Sequence, residues 1–347
     1  MKYAIGLALW AGVAAGALII ALENRGYTQG IDPNAAPNPY SLQENWAQLP
    51  ADRKFGGVIK VQVDHSDGKS IWVFDRPAGS EKGVRCVYWE CSNSMLPPLL
   101  KFDSSGKFIT AFGAGMFAIP HGLYVDPDGN VWAGDEVAFN GKGVDLIKFS
   151  PSGTVLMILG KPGMPGNGRD YFACASSVVV APNGDIYVGD GHGGISNDRI
   201  VKFSKEGKFI KAWGNHGAHA GEIDTPHGIA LDSAGRVYVA DRGNNRIQIF
   251  SPDGEFIAEW EQFGRPSDVA IDKNDMIYVT DSRSTDKTNP GFQQGIRIGS
   301  VKDGKVTAFI PQMDDTIGAP EGITVDEEGI IYASYTSKPA VRKFVKK

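Results

Sequence analysis

The sequence predicts an all-β fold, a six-bladed β-propeller whose ring is closed by an N-terminal strand joining the C-terminal blade. Three observations lead there. One hairpin pattern recurs six times, most copies are followed by a second hairpin, and the last copy ends one strand short of a full blade.

The recurring unit is an apolar alternation, a turn with Asp or Pro and Gly, and then apolar-Tyr/Trp-apolar-x-Asp. Its copies are IKVQVDHSDGKSIWVFD from Ile59, HGLYVDPDGNVWAGD from His121, SSVVVAPNGDIYVGD from Ser176, HGIALDSAGRVYVAD from His227, SDVAIDKNDMIYVTD from Ser267 and EGITVDEEGIIYASY from Glu321. Period-two alternation on both sides of a turn signal is a β-hairpin. LLKFDSSGKFITAFG, LIKFSPSGTVLMILG, IVKFSKEGKFIKAWG and IQIFSPDGEFIAEW supply the second hairpins. Two hairpins make a four-stranded blade, and repetition of blades makes a propeller. The sixth copy is followed only by VRKFVKK, and LQENWAQLP from Leu42 is the candidate for the missing outer strand. Joining the two leaves no open sheet edge.

Composition agrees. The 347 residues include 44 glycines and 20 prolines, which favour tight turns over long helices, and 42% are hydrophobic, enough for a packed core. The net charge is −5 and no basic run stands out, so nothing invites nucleic acid.

Residues 1–22 contain an uncharged stretch, Tyr3 to Leu22, long enough to span a bilayer or to serve as a secretory signal. Export to the periplasm or outside the cell, anchored through residues 3–22 or secreted, is expected. Residues 23–41, with IDPNAAPNP, read as a linker, and 42–347 as the propeller, which needs no second copy for stability. In an oxidising compartment Cys86 and Cys91 can pair, leaving Cys174 as a small buried residue.

The first strand of each blade lines the central channel, and its start lies on the same face of the disc as the end of the second strand. The six starting positions are Ile59, His121, Ser176, His227, Ser267 and Glu321. His121, His227 and Glu321 fall on alternate blades, about 120° apart, so their side chains converge on the axis. A lone histidine at a strand start is ordinarily a satisfied polar residue. Two at one register, with a carboxylate at the third, point to a three-ligand metal site with an open position, suited to zinc or iron. A structural calcium elsewhere is also admitted. Arg76, His192, Arg242 and Arg283 follow the second strands on the same face. Arginines there can clamp a carboxylate, and a histidine can move a proton. The aspartates before them, Asp75, Asp190, Asp241 and Asp281, recur too regularly for catalysis and read as strand-end bonding.

The repeats, most plainly VYVADRGNNRIQIFSPDG, resemble NHL repeats, and the body from about residue 43 resembles the peptidyl-α-hydroxyglycine α-amidating lyase family of six-bladed propellers. In that family three histidines on alternate blades hold zinc. His121 and His227 match two of them; Glu321 stands at the third, and Gly322 replaces the aspartate after it. Arg76 matches the family's catalytic arginine and Arg242 a second one, while His192 stands where the family has a catalytic tyrosine. The resemblance implies a metal-dependent lyase cleaving a C–N bond of a carboxylate-bearing carbinolamide and releasing glyoxylate, with catalytic Arg76, His192 and Arg242 and metal ligands His121, His227 and Glu321. A separate enzyme is expected to make the hydroxyglycine substrate. Two other readings compete: a lactonase-like hydrolase using a hard cation, disfavoured by two histidines in the ligand register, and a binding or scaffold propeller of the cell envelope.

Overall fold

The computed structural model describes residues 32–77, 91–192, 195–313 and 316–347. Among these residues there is no α-helix, and six four-stranded antiparallel sheets form the six blades. Blade one comprises Val58–Val63, Ile71–Asp75, Leu99–Phe102 and Phe108–Phe112; blade two Pro120–Val125, Val131–Asp135, Asp145–Phe149 and Val155–Gly160. Blade three comprises Ala175–Val180, Ile186–His192, Ile195–Phe203 and Phe209–Trp213; blade four Pro226–Leu231, Val237–Asp241, Arg246–Phe250 and Phe256–Trp260. Blade five comprises Pro266–Ile271, Met276–Asp281, Gly295–Ser300 and Val306–Pro311; blade six Ile323–Val325, Ile331–Tyr335 and Ala340–Lys346.

The sixth blade takes its outer strand from Tyr40–Gln43, which pairs antiparallel with the final strand from Tyr40 opposite Lys346 to Gln43 opposite Lys343. This strand lies two residues ahead of the expected one, because Tyr40 is the apolar residue that buries against Ile298, Tyr335 and Phe344. Most of LQENWAQLP is instead a connecting segment whose Trp46 packs edge-on against Tyr332 and donates to the Ser104 carbonyl. Part of the expected linker is docked as well. Asn34 bonds Gly291, Gln293 and Arg297 on blade five, and the Pro37 carbonyl accepts from the Phe309 amide.

The repeat's consensus residues have structural duties. The aromatic residue of each second strand, Trp72, Trp132, Tyr187, Tyr238, Tyr278 or Tyr332, is buried between blades. A buried indole N–H or phenol needs a partner. The aspartate ending the first strand supplies it for Trp72 (Asp64), Trp132 (Asp126), Tyr238 (Asp232), Tyr278 (Asp272) and Tyr332 (Asp326), at 3.1–3.5 Å. Blade three has Ala181 at that position, and Tyr187 donates to the Pro252 carbonyl instead. The aspartates ending the second strands, read as structural, accept backbone amides from the loop entering their own blade. Asp75 holds Gly56 and Gly57, Asp135 holds Ala118 and Ile119, and Asp190 holds Ala173 and Cys174. Asp241 holds the Asp224 amide and pairs with Arg246, which also pairs with Glu259.

Cys91 is disulfide-bonded and Cys174 is a buried free thiol; Cys86 lies outside the described residues. The apolar stretch 3–22 also lies outside them. No helix among the described residues is long and apolar enough to cross a membrane.

Candidate active site

The Pro-His-Gly sequences of blades two and four are β-bulges. Pro120 pairs with Asp135 and Leu123 with Ala133; Pro226 pairs with Asp241 and Ile229 with Val239. His121-Gly122 and His227-Gly228 are therefore the irregular step, and a bulge re-aims a side chain. The glycine beside each histidine lets the next blade pack close against it, tightly at Gly122 and with no room for a Cβ at Gly228. A Cβ on Gly122 would come within 3.1 Å of the Ser177 Cα, and one on Gly228 within 2.5 Å of Asp268 and 2.9 Å of its Cα.

Both histidines are buried, at 2% and 3% exposure. His121 Nδ1 lies 2.6 Å from the Ser176 carbonyl, and His227 Nδ1 faces the Ser267 carbonyl in the same way. A carbonyl only accepts, so each ring carries its proton on Nδ1 and turns the Nε2 lone pair to the axis. Burial, then His192 and Arg76, push the His121 pKa well below its ordinary value; burial, then Arg242 and the other two histidines, do the same for His227. Both rings are neutral at pH 7, and neither Nε2 has a hydrogen-bond partner among the described residues.

His192, at the end of the second strand of blade three, completes a cluster. Its ring centroid is 4.7 Å from that of His121 and 4.9 Å from that of His227. One ligand atom from each of the three lies within 4.8 Å of the other two. His192 Nδ1 is 2.8 Å from Glu136 Oε1, and its Nε2 is 3.1 Å from Arg242 Nη2. Glu136 Oε2 accepts from Arg76 Nη2 at 2.8 Å, and Arg76 Nε donates to the Pro120 carbonyl. Burial raises the Glu136 carboxyl, but the hydrogen bond and charge of His192 with Arg76 outweigh it and keep the carboxylate ionised far below its usual range.

Glu321 also reaches the axis. Its Oε1 is 3.4 Å from His227 Nε2 and 3.3 Å from Arg242 Nη1, and its Oε2 accepts from Ser282 at 2.8 Å. Burial lowers the Arg242 pKa to about 10, against the pull of Glu321. Six of the seven residues singled out on this face, Arg76, His121, His192, His227, Arg242 and Glu321, therefore belong to one contact network, while the seventh, Arg283, has an exposed side chain. Glu136 and Ser282 were missed. Each directly follows a strand-end aspartate, the register that identified Arg76 and Arg242, and that register is the signal that locates them.

The residues fit a metal. Two neighbouring buried acceptors without partners would each cost about 1–3 kcal/mol unless a ligand engages them. Neutral imidazoles fixed at Nδ1 are the donors zinc and iron prefer. A second group able to hold an ion joins Asp198, on the third strand of blade three, to His216 and Asp224 on the segment leading into blade four.

Comparison with known proteins follows the same lines. The NHL repeat family matches residues 224–250. The chain is 31% identical over 258 residues to peptidyl-glycine alpha-amidating monooxygenase B of Xenopus laevis, covering 70% of this chain and 28% of that protein. It is 32% identical over 232 residues to peptidyl-alpha-hydroxyglycine alpha-amidating lyase 1 of Drosophila melanogaster, covering 60% of this chain and 40% of that protein. The chain thus spans less than half the length of either relative. A gluconolactonase from Xanthomonas campestris shares the fold, with TM-score 0.59 at 13% identity over 90% of this chain and 96% of that one. The chain is a six-bladed β-propeller carrying an NHL repeat, and its relatives include proteins named as peptidyl-α-hydroxyglycine α-amidating lyases.

Proposed function

We propose that this protein is a metal-dependent lyase acting on a carboxylate-bearing carbinolamide of the peptidyl-α-hydroxyglycine type. The C–N bond breaks, the hydroxyl loses its proton, the nitrogen gains one, and the products are the amide and glyoxylate. The observation that carries this reading is the pair of unengaged, buried Nε2 lone pairs of His121 and His227 beside Arg242 and Glu321. His121 and His227 would hold a zinc or iron ion, which supplies Lewis acidity at the channel axis. Arg242 is the cation that reaches the axis, and it holds the substrate carboxylate. Glu321, paired with Arg242 and bonded by Ser282, is the proton acceptor for the hydroxyl. Arg76 secures Glu136, which in turn fixes His192. The apolar stretch 3–22 and the disulfide at Cys91 support an exported protein, anchored or secreted. A monomer is proposed, since the closed ring leaves no blade short of a strand.

The test is glyoxylate release from a synthetic peptidyl-α-hydroxyglycine by the full chain supplied with zinc or iron(II). One glyoxylate per peptide amide is expected. Arg242→Gln should raise KM about 10-fold or more through loss of a charged hydrogen bond. Glu321→Gln should lower kcat about 10²–10⁴-fold. No glyoxylate from the metal-loaded chain would remove the reading.

A further inference from the structure

We infer that His192, oriented by Glu136, is the third nitrogen donor of the proposed metal, and that Glu321 stands outside the donor set. The inference rests on the metal reading above and names ligands that blade symmetry alone would assign differently.

Symmetry puts the third donor on blade six, at Glu321. On blades two and four the axial histidine is braced by the carbonyl of the equivalent residue one blade on, Ser176 for His121 and Ser267 for His227. For blade six that carbonyl belongs to Ile59. It accepts instead from the Ser334 hydroxyl at 3.0 Å, and Ser334 also accepts from the Gly322 amide. The bracing position is therefore capped by a serine, and Glu321, which has no N–H to offer it, is held from elsewhere. Ser282 holds its Oε2 and is itself 2.6 Å from the Ser267 hydroxyl, while Arg242 holds Oε1. Both carboxylate oxygens already have partners, Ser282 at Oε2 and Arg242 at Oε1, although Oε1 also lies 3.4 Å from His227 Nε2.

His192 differs from Glu321 in where its ligand atom lies. Glu136 accepts at Nδ1, as the carbonyls do for the other two rings, so the proton is on Nδ1 and the lone pair on Nε2, where it accepts from Arg242 Nη2 at 3.1 Å; a metal would take the place of that hydrogen bond. Its ligand atom clusters with those of His121 and His227 within 4.8 Å; no carboxylate among the described residues belongs to that group. A carboxylate behind a ligating histidine fixes the ring and raises its basicity. Three imidazole nitrogens, one of them braced by a carboxylate, would leave a fourth position open, as in catalytic rather than structural zinc sites. With Arg242 between His192 Nε2 and Glu321, the carboxylate stays beside the guanidinium, outside the donor set and in the proton-accepting place proposed above.

The experiment is cobalt(II) binding to the purified full chain and to His192→Ala, Glu321→Gln, Glu136→Gln and His192→Cys, followed by visible absorption and chelator competition, with circular dichroism as the folding control. His192→Ala should weaken binding at least about 100-fold and Glu136→Gln about 10-fold, while Glu321→Gln stays within about threefold of wild type with an unchanged spectrum. His192→Cys should add a thiolate-to-cobalt charge-transfer band in the near ultraviolet, a positive signal that needs no wild-type affinity. Loss of cobalt in Glu321→Gln with retention in His192→Ala, or no thiolate band in a folded, cobalt-loaded His192→Cys, overturns the inference while leaving the metal reading intact. A wild-type chain that binds no cobalt overturns both.

Discussion

His121 and His227 owe their open Nε2 atoms to two carbonyls one blade away, Ser176 and Ser267. The chain itself displayed these histidines, because a strand-start register repeated six times makes an unusual residue at that register conspicuous. It did not display Glu136 or Ser282. Neither residue type is unusual after a strand, and what distinguishes them is the partner each reaches from a different blade, His192 for Glu136 and Glu321 for Ser282. Residue chemistry is also testable away from the axis. His216 is exposed and bonds Asp198 at 2.8 Å, which raises its pKa above the ordinary value. The protonated ring is therefore favoured in the folded state, so its contribution is fully present below the unfolded value of about 6.5 and disappears as pH rises through the raised folded value. Denaturant unfolding of wild type and His216→Gln should differ at about pH 5.5 and coincide at about pH 9. A difference that grows toward high pH would contradict the assignment.

The hairpin is the element that sequence conveys best. Alternation and turn residues are local, so the first-strand aspartate and second-strand aromatic could be recognised before their hydrogen bonds were known. The bulge at Pro-His-Gly is less legible. Two residues opposing one is a property of the pairing, and only the partner strand reveals it. The glycine of that bulge makes a strong claim. Adding a Cβ at Gly228 meets Asp268, which already binds Lys60 and the Ile323 amide, so neither side can move freely. Gly228→Ala should cost about 2–3 kcal/mol by overpacking, read as a drop in thermal midpoint. A change below about 0.5 kcal/mol would mean that the blades can part there.

At the scale of the whole molecule, closure was foreseen as a principle but placed a little late. The closing strand is four residues long, and its partner is about 300 positions away, with Tyr40 opposite Lys346. No local pattern marks such a pairing, whereas the burial of Tyr40 does. Tyr40→Ala should remove about 3–5 kcal/mol, the range for losing a buried aromatic. At about 2–4 °C per kcal/mol for a domain of this size, the fall in melting temperature is easily measured. An unchanged midpoint would show that the ring does not depend on its clasp. The ring in turn exists to bring side chains of blades two, three and four to one axis, so metal content measures the account most directly. Elemental mass spectrometry of the full chain, wild type beside His227→Ala, should find about one zinc or iron per wild-type molecule and almost none in the variant. A wild-type chain without stoichiometric metal after reconstitution, or a folded His227→Ala that keeps it, would contradict the account.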